Sequence, residues 1–426
     1  MMRSIALLLL CVATTVTAAQ IRPATQLEPV TLVVAGRSNA TPSISAIGSR
    51  VVVAWGATLD GKTDVFVAIS EDDGRTFSTP RQVNVIAGEA RLGGEMPPRV
   101  AWSARGGAPP ELVVLWTARG ATTEIKLARS LDNGRTFTPA VSLQASGAAG
   151  DRGWPALTVD RSGTAHAIWL DHRGLVEHKP GEASSDHEGP DGALMAQRSG
   201  LFYVAANDAP AAEKRITTGV CYCCKTALAA GKRGELYAAW RHVYPGNIRD
   251  IAFSVSRSAG PFAAPVRVSE DQWELNGCPD DGPAMAVDDS GTVHLVWPTV
   301  LSDPEPEGAL FYSTTRDGVS FTPRVRIPTQ GSPKPSHPQI AVDVNGGILI
   351  AWDEVLAGTR HAFMRPAHAR LGRLEFAPAT ALDPGVRSMY PVIATGQSGS
   401  FVAWTSGASN GSVIRMRRYQ PARSVR

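Results

Sequence analysis

Short apolar runs and polar glycine turns alternate along the chain, and one version of that alternation returns seven times, closing each time on tryptophan. The clearest copies read PALTVDRSGTAHAIW to Trp169, GPAMAVDDSGTVHLVW to Trp297 and PQIAVDVNGGILIAW to Trp352. Looser copies close on Trp55, Trp116, Trp240 and Trp404. In each, two apolar runs with β-branched residues flank a Gly turn, which predicts a β-hairpin. Seven of the ten tryptophans occupy this one position, so they read as core anchors of a repeat. His166 and His294 stand three residues before their Trp, inside a strand, and read as packing histidines.

The stretch after each hairpin is equally regular. After Trp55 come DVFVAIS, the turn SEDDGRTF and RQVNV; after Trp116 come TEIKLARS, SLDNGRTF and PAVSL. The fourth unit has IAFSVS, SRSAGPF and PVRV, and the fifth has ALFYSTT, TTRDGVSF and PRVRIP. Four strands per unit, at a spacing of about 50 to 60 residues and nearer 70 in the third, predict the blades of a β-propeller. The seventh unit supplies only PVIAT, FVAW and SVIRMRR, and the N-terminal run VTLVVAG can add its missing outer strand. Such pairing leaves no open sheet edge. The expected fold is all-β, one propeller of seven blades, with six as the alternative, spanning 20–426.

The segment before it, MMRSIALLLLCVATTVTAAQ, has Arg3, an apolar core and small residues. It reads as a signal peptide over 1–19, removing Cys11 and sending the protein to the periplasm or the medium. No other run is long and apolar enough to span a bilayer. Formal net charge is +3 with no basic tract, which argues against nucleic acid as a partner. Gly 41 and Pro 31 suit a turn-rich chain. A monomer is expected.

SEDDGRTF (Ser70 to Phe77) and SLDNGRTF (Ser130 to Phe137) resemble the Asp-box, or BNR repeat, of the sialidase superfamily: Ser, any residue, Asp, any, Gly, any, Thr, aromatic. TTRDGVSF reads as a degenerate copy with Arg316 at the Asp position. The resemblance implies an Asp-box propeller. It also implies an exo-sialidase-type site: arginines clamping the carboxylate of an anionic glycan, a tyrosine nucleophile activated by a glutamate, and an aspartate as acid/base. Guanidinium groups suit that clamp because they grip a carboxylate in bidentate fashion. The family's first clamp arginine is absent here, where NATPSIS carries Pro42 with no arginine before it.

Strand order sorts the loops. Gly turns and Asp-boxes share one face of the ring, while the loops after each Trp and the links between blades share the other. The unusual residues gather on that second face, where a propeller concentrates binding groups. The blade links carry Glu95, Asp151, Arg152, Trp154, GVCYCCKT, DQWELNGCPDDG, His337, Arg387 and Tyr390. Loops after tryptophans carry Asp171, Arg241, His242, Arg249, Asp353 and Glu354, and the third blade inserts EHKPGEASSDHEGPDG with His178 and His187. Candidate catalytic residues are Arg241, Asp281, Asp171 and Tyr390. Candidate substrate-binding residues are Arg152, Arg249, Arg387, Trp154 and Trp273, the last two as sugar-stacking platforms. Each has a plainer reading as a loop ion pair or a packed aromatic.

Four cysteines remain outside the signal: Cys221, Cys223, Cys224 and Cys278. In an exported protein they would form two disulfides, by any of three pairings, including a vicinal one between Cys223 and Cys224. The alternative is a soft-metal site for copper or zinc, completed by His242 or another histidine. Two functions therefore stand open: a glycan-binding and hydrolysing propeller, or a metal-binding or redox-linked one. A protein-interaction platform is a third.

Overall fold

A computed structural model describes residues 28–144, 150–175, 191–206, 212–257, 260–302, 305–370 and 373–420. The expected signal peptide and the His178/His187 insertion lie outside the described residues. Seven antiparallel sheets succeed one another along the chain, six of them beginning at an innermost strand. Blade one runs Ser38–Ile47, Arg50–Leu59, Lys62–Ser70 and Arg81–Gln82, hydrogen-bonded in that order. First strands of neighbouring blades contact one another in a closed circuit around an axis. The ring has seven blades, not six.

Closure follows the expected route. Val30–Leu32 pairs antiparallel with Val413–Tyr419, bringing Val30 opposite Met416 and Leu32 opposite Ile414. The first segment of the ring is thereby the outer strand of blade seven, and opening the ring requires peeling it away. Among the described residues no helix is long and apolar enough to cross a membrane.

All seven repeat tryptophans are at most 1% exposed, and they lie in apolar layers between consecutive blades. A buried indole N–H needs an acceptor, and the second face supplies it. Trp55 donates to Asn39 Oδ1 (2.9 Å), Trp169 to Asp171 Oδ2 (3.1 Å), Trp240 to His242 Nδ1 (3.3 Å), Trp297 to Asp271 Oδ2 (2.7 Å) and Trp352 to Glu354 Oε1 (2.7 Å). Several polar residues following these tryptophans are accordingly part of the core's hydrogen bonding. Trp116 Nε1 has no acceptor among the described residues.

On the opposite face, Asp72 Oδ1 accepts the N–H of Arg75 (3.1 Å) and Thr76 (2.9 Å), and Ser70 Oγ accepts that of Gly74 (2.8 Å). These bonds hold the Asp72 carboxyl down at about 2, the Thr76 N–H contributing most. Asp132 repeats the arrangement. The fifth blade corrects the sequence reading. There Asp317, not the residue at position 316, accepts from Val319 and Ser320 (2.8 Å each), with Thr315 as the hydroxyl partner (3.0 Å). The turn is one residue shorter and keeps its chemistry. His166 and His294 are satisfied packing residues, each between a tyrosine hydroxyl and the hairpin aspartate.

Candidate functional site at the ring axis

Four innermost strands share a local device. Thr41, Trp154, His337 and Tyr390 have φ of 55°, 51°, 54° and 53°, each precedes a proline (Pro42, Pro155, Pro338, Pro391), and each marks a register shift against the Trp strand. A left-handed non-glycine residue costs on the order of 1–2 kcal/mol, so the surrounding structure must impose it. The bulge re-aims the side chain. Thr41, His337 and Tyr390 consequently line one small pocket, with Arg99, Lys225 and Gln339.

Around that pocket the charges are buried and mostly paired. Glu95, 3% exposed, accepts the backbone N–H of Lys225 (3.0 Å) and Gly282 (2.7 Å) and lies 3.5 Å from Lys225 Nζ. Asp353, fully buried, accepts from His337 Nδ1 (2.8 Å) and from the backbone N–H of Tyr390 (2.7 Å), and pairs with Arg360. Burial acts against its charge, but His337 and Arg360 outweigh it and hold the carboxyl below its usual range. For His337, burial pulls the imidazole down; the Asp353 charge and hydrogen bond, with Asp281 and Glu95, leave it raised. Its Nδ1 being taken, Nε2 is the nitrogen left for a ligand. The rings of His337 and Tyr390 meet edge to face at 4.7 Å.

Asp281, 3% exposed, accepts the backbone N–H of His337 (3.1 Å). Burial, then the Glu95 charge, push its carboxyl up to about 6. Arg99 is lowered to about 10 by burial, and its Nη2 finds no partner among the described residues. Gly94 closes the ring of contacts: a Cβ there would fall 2.1 Å from the Tyr390 ring, so only glycine lets that ring lie where it does.

The remaining expected site residues occupy different places. Arg241, 1% exposed, gives its guanidinium to the carbonyls of Asp281 (3.0 Å), Arg249 (2.7 Å) and Pro298 (2.8 Å), and stacks on Trp273 at 4.7 Å. It is a strut beneath Asp281 rather than a group facing the pocket. Asp171 and Arg152 pair with each other in the core (3.2 Å), Asp171 also holding Arg173 and the Trp169 indole. Trp273 is 8% exposed, and Trp154, half-buried, packs on His172 at 5.8 Å. Arg387 is exposed before blade seven. Of the nine catalytic and substrate-binding candidates, only Asp281 and Tyr390 meet at the axis.

The cysteines gather beside it. Cys223 is disulfide-bonded to Cys278, while Cys221 and Cys224 are free and buried. The vicinal pair is not bridged, and one disulfide rather than two is present among the described residues. Arg249, 0% exposed, donates to Cys221 Sγ at 3.3 Å. The Cys224 hydrogen bond first, opposed by burial and aided by Arg249 and Arg241, lowers the Cys221 thiol; burial and Cys221 push Cys224 up. His242 stands outside this group: its Nδ1 accepts from Trp240, its ring packs on Tyr244 at 4.7 Å, and burial lowers it to about 4.

Comparison with known proteins gives a likeness of shape. No protein-family profile and no curated protein matches the chain. Among solved structures it is similar to an ulvan lyase of polysaccharide lyase family PL25, at 11% identity and TM-score 0.57, over 93% of this chain and 98% of that one. It is also similar to an α-L-arabinanase of Penicillium chrysogenum (13%, TM-score 0.50, 93% and 98%) and to a Hadza microbial sialidase (16%, TM-score 0.50, 86% and 73%). What is shared is the fold. Sequence reasoning leaves Arg99 and Lys225 without a role, counts Asp353 among carboxylates for an acid/base pair and His337 among histidines for a metal, and the residue-plus-proline signal marks only His337 of these four.

Proposed function

We propose that the protein is an exported, monomeric carbohydrate-active propeller that binds an anionic glycan at the axial pocket and transforms it by acid/base chemistry. The observation that carries this reading is the His337–Asp353 pair. A buried carboxylate fixes Nδ1 and favours the charged imidazole, whose Nε2 can deliver a proton. Tyr390 stands against that ring and supplies a hydroxyl for the partner transfer. Asp281 holds the His337 backbone, and its elevated carboxyl can share a proton near neutral pH. Arg99 and Lys225 give the pocket the positive charge an acidic sugar requires. The neighbours with this fold support the substrate class: one is an ulvan lyase, solved with a glucuronate–rhamnose sulfate repeat, others an arabinanase and a sialidase.

Either bond hydrolysis or elimination next to a uronate carboxyl would use this pair. A panel of sialylated, uronic-acid and arabinose polymers separates them by product: new reducing ends alone, or new reducing ends with an unsaturated sugar. His337→Gln and Tyr390→Phe should each lower turnover by about 10²–10⁴-fold, the usual worth of one positioned acid or base, with native fluorescence retained. Unchanged turnover in both variants would remove the assignment.

A further inference from the structure

The sulfur cluster has no part in the acid/base chemistry of the pocket. Cys221 and Cys223 Sγ are 3.8 Å apart, Cys223 and Cys224 3.9 Å, and Cys224 and Cys221 3.6 Å. Four thiolates about 2.3 Å from one metal ion stand about 3.8 Å from each other, the edge of the tetrahedron. The three sulfurs thus already form one face of such a site, each within 4.8 Å of the others. Cys278, bonded to Cys223, is the fourth corner at hand. Cys221, Cys223 and Cys224 lie in one apolar packet with Ala196, Tyr222 and Val243, flanked by Met195.

A second observation concerns charge. Arg249 is wholly buried, gives one N–H to Cys221 and leaves Nε and Nη2 without partners among the described residues. A buried guanidinium that is not matched by negative charge is costly. Four thiolates around a dication carry a net charge of −2, which Arg249 and neighbouring Arg241 would balance.

We propose that Cys221, Cys223, Cys224 and Cys278 form a four-thiolate site for a thiophilic d10 cation, zinc(II) or copper(I), which opens when a dithiol reductant cleaves the Cys223–Cys278 bridge. The reductant gives two electrons and two protons, becoming a cyclic disulfide, and the bridge becomes two thiols. Metal binding then displaces the thiol protons into solvent. With the bridge closed, two of the four ligands are occupied and the site does not hold metal. The metal centre is thereby gated by redox state and independent of the glycan assignment.

The test uses the whole mature chain, anaerobically, with and without dithiothreitol treatment and removal. Thiols are counted with a thiol reagent, and zinc(II) and copper(I) are offered separately. The reduced chain should show four thiols and retain one equivalent of one of these ions by native mass spectrometry, and cobalt(II) should give a thiolate charge-transfer band. The oxidised chain should retain none. Cys221→Ser and Cys278→Ser, the second at the more exposed ligand, should each lose the ion while tryptophan fluorescence reports a folded ring. The proposal is overturned if the native chain resists reduction, if the four-thiol chain binds neither ion, or if both variants bind as well as the wild type.

Discussion

Replacing Asp353 with Asn should reverse the sign of one pH dependence. In the folded chain Asp353 faces His337 Nδ1, Arg360 and the Tyr390 N–H, and the Glu95 and Asp281 charges also act on His337. His337 is raised above its ordinary value of about 6.5. Such a group adds stability that is fully present below the unfolded pKa and is lost as pH rises through the folded pKa. Wild-type unfolding free energy should therefore gain from this residue as pH falls through its raised folded-state pKa toward about 6.5. Asn keeps the volume and one acceptor but removes the largest favourable charge, so burial prevails and the imidazole falls below its ordinary value. Its contribution then shrinks as pH drops through 6.5. Removing one member of a buried ion pair costs about 3–5 kcal/mol; Arg360 is 24% exposed and can find water, which favours about 3 kcal/mol at pH 7. Urea midpoints of wild type, Asp353→Asn, His337→Gln and the double variant, from pH 5 to 8, give both the loss and the coupling. Parallel pH profiles for wild type and Asp353→Asn would refute the reasoning.

Other consequences come from the packing. Trp297→Phe leaves the Asp271 carboxylate short of a donor, whereas Trp116→Phe removes an N–H with no acceptor among the described residues; the first should cost about 1.5–3 kcal/mol more, read as a difference in urea midpoints. Asp72→Ala deletes the bonds to Arg75 and Thr76 and should lower stability by about 1 kcal/mol, as loss of a comparable helix cap does. The stability Asp72 supplies is present above about 4 and lost as pH falls through about 2. Gly94→Ala must displace the Tyr390 ring, so glycan turnover should fall as in Tyr390→Phe while thermal unfolding of the ring changes little.

The repeat is fully legible in the sequence because its physics is local. A period-two apolar run, a Gly turn and a terminal Trp specify a hairpin without help from distant residues, and even the closing strand at Val30 can be read from an incomplete seventh unit. The face is legible too, since strand order alone separates the two sets of loops. Individual roles are not. Asp171, Arg152 and Arg241 have the composition of a catalytic loop, while their partners, an indole, another charge and three carbonyls, are not visible in sequence. His337 reads from sequence as a candidate metal ligand, and its pairing with Asp353 on the next strand and its left-handed turn before Pro338 are not visible there. That turn has a signal, the residue-plus-proline pairs at 41, 154, 337 and 390. Arg316 misleads because a turn shortened by one residue shifts the aspartate without losing it.

The central assignment, an axial glycan site built on His337 and Tyr390, is tested most directly by product analysis of wild type and His337→Gln on acidic polysaccharides. Mass analysis after incubation should show shortened chains with wild type and intact polymer with the variant. Intact polymer with both, together with unretarded migration of the wild type through gels containing those polymers, would contradict it.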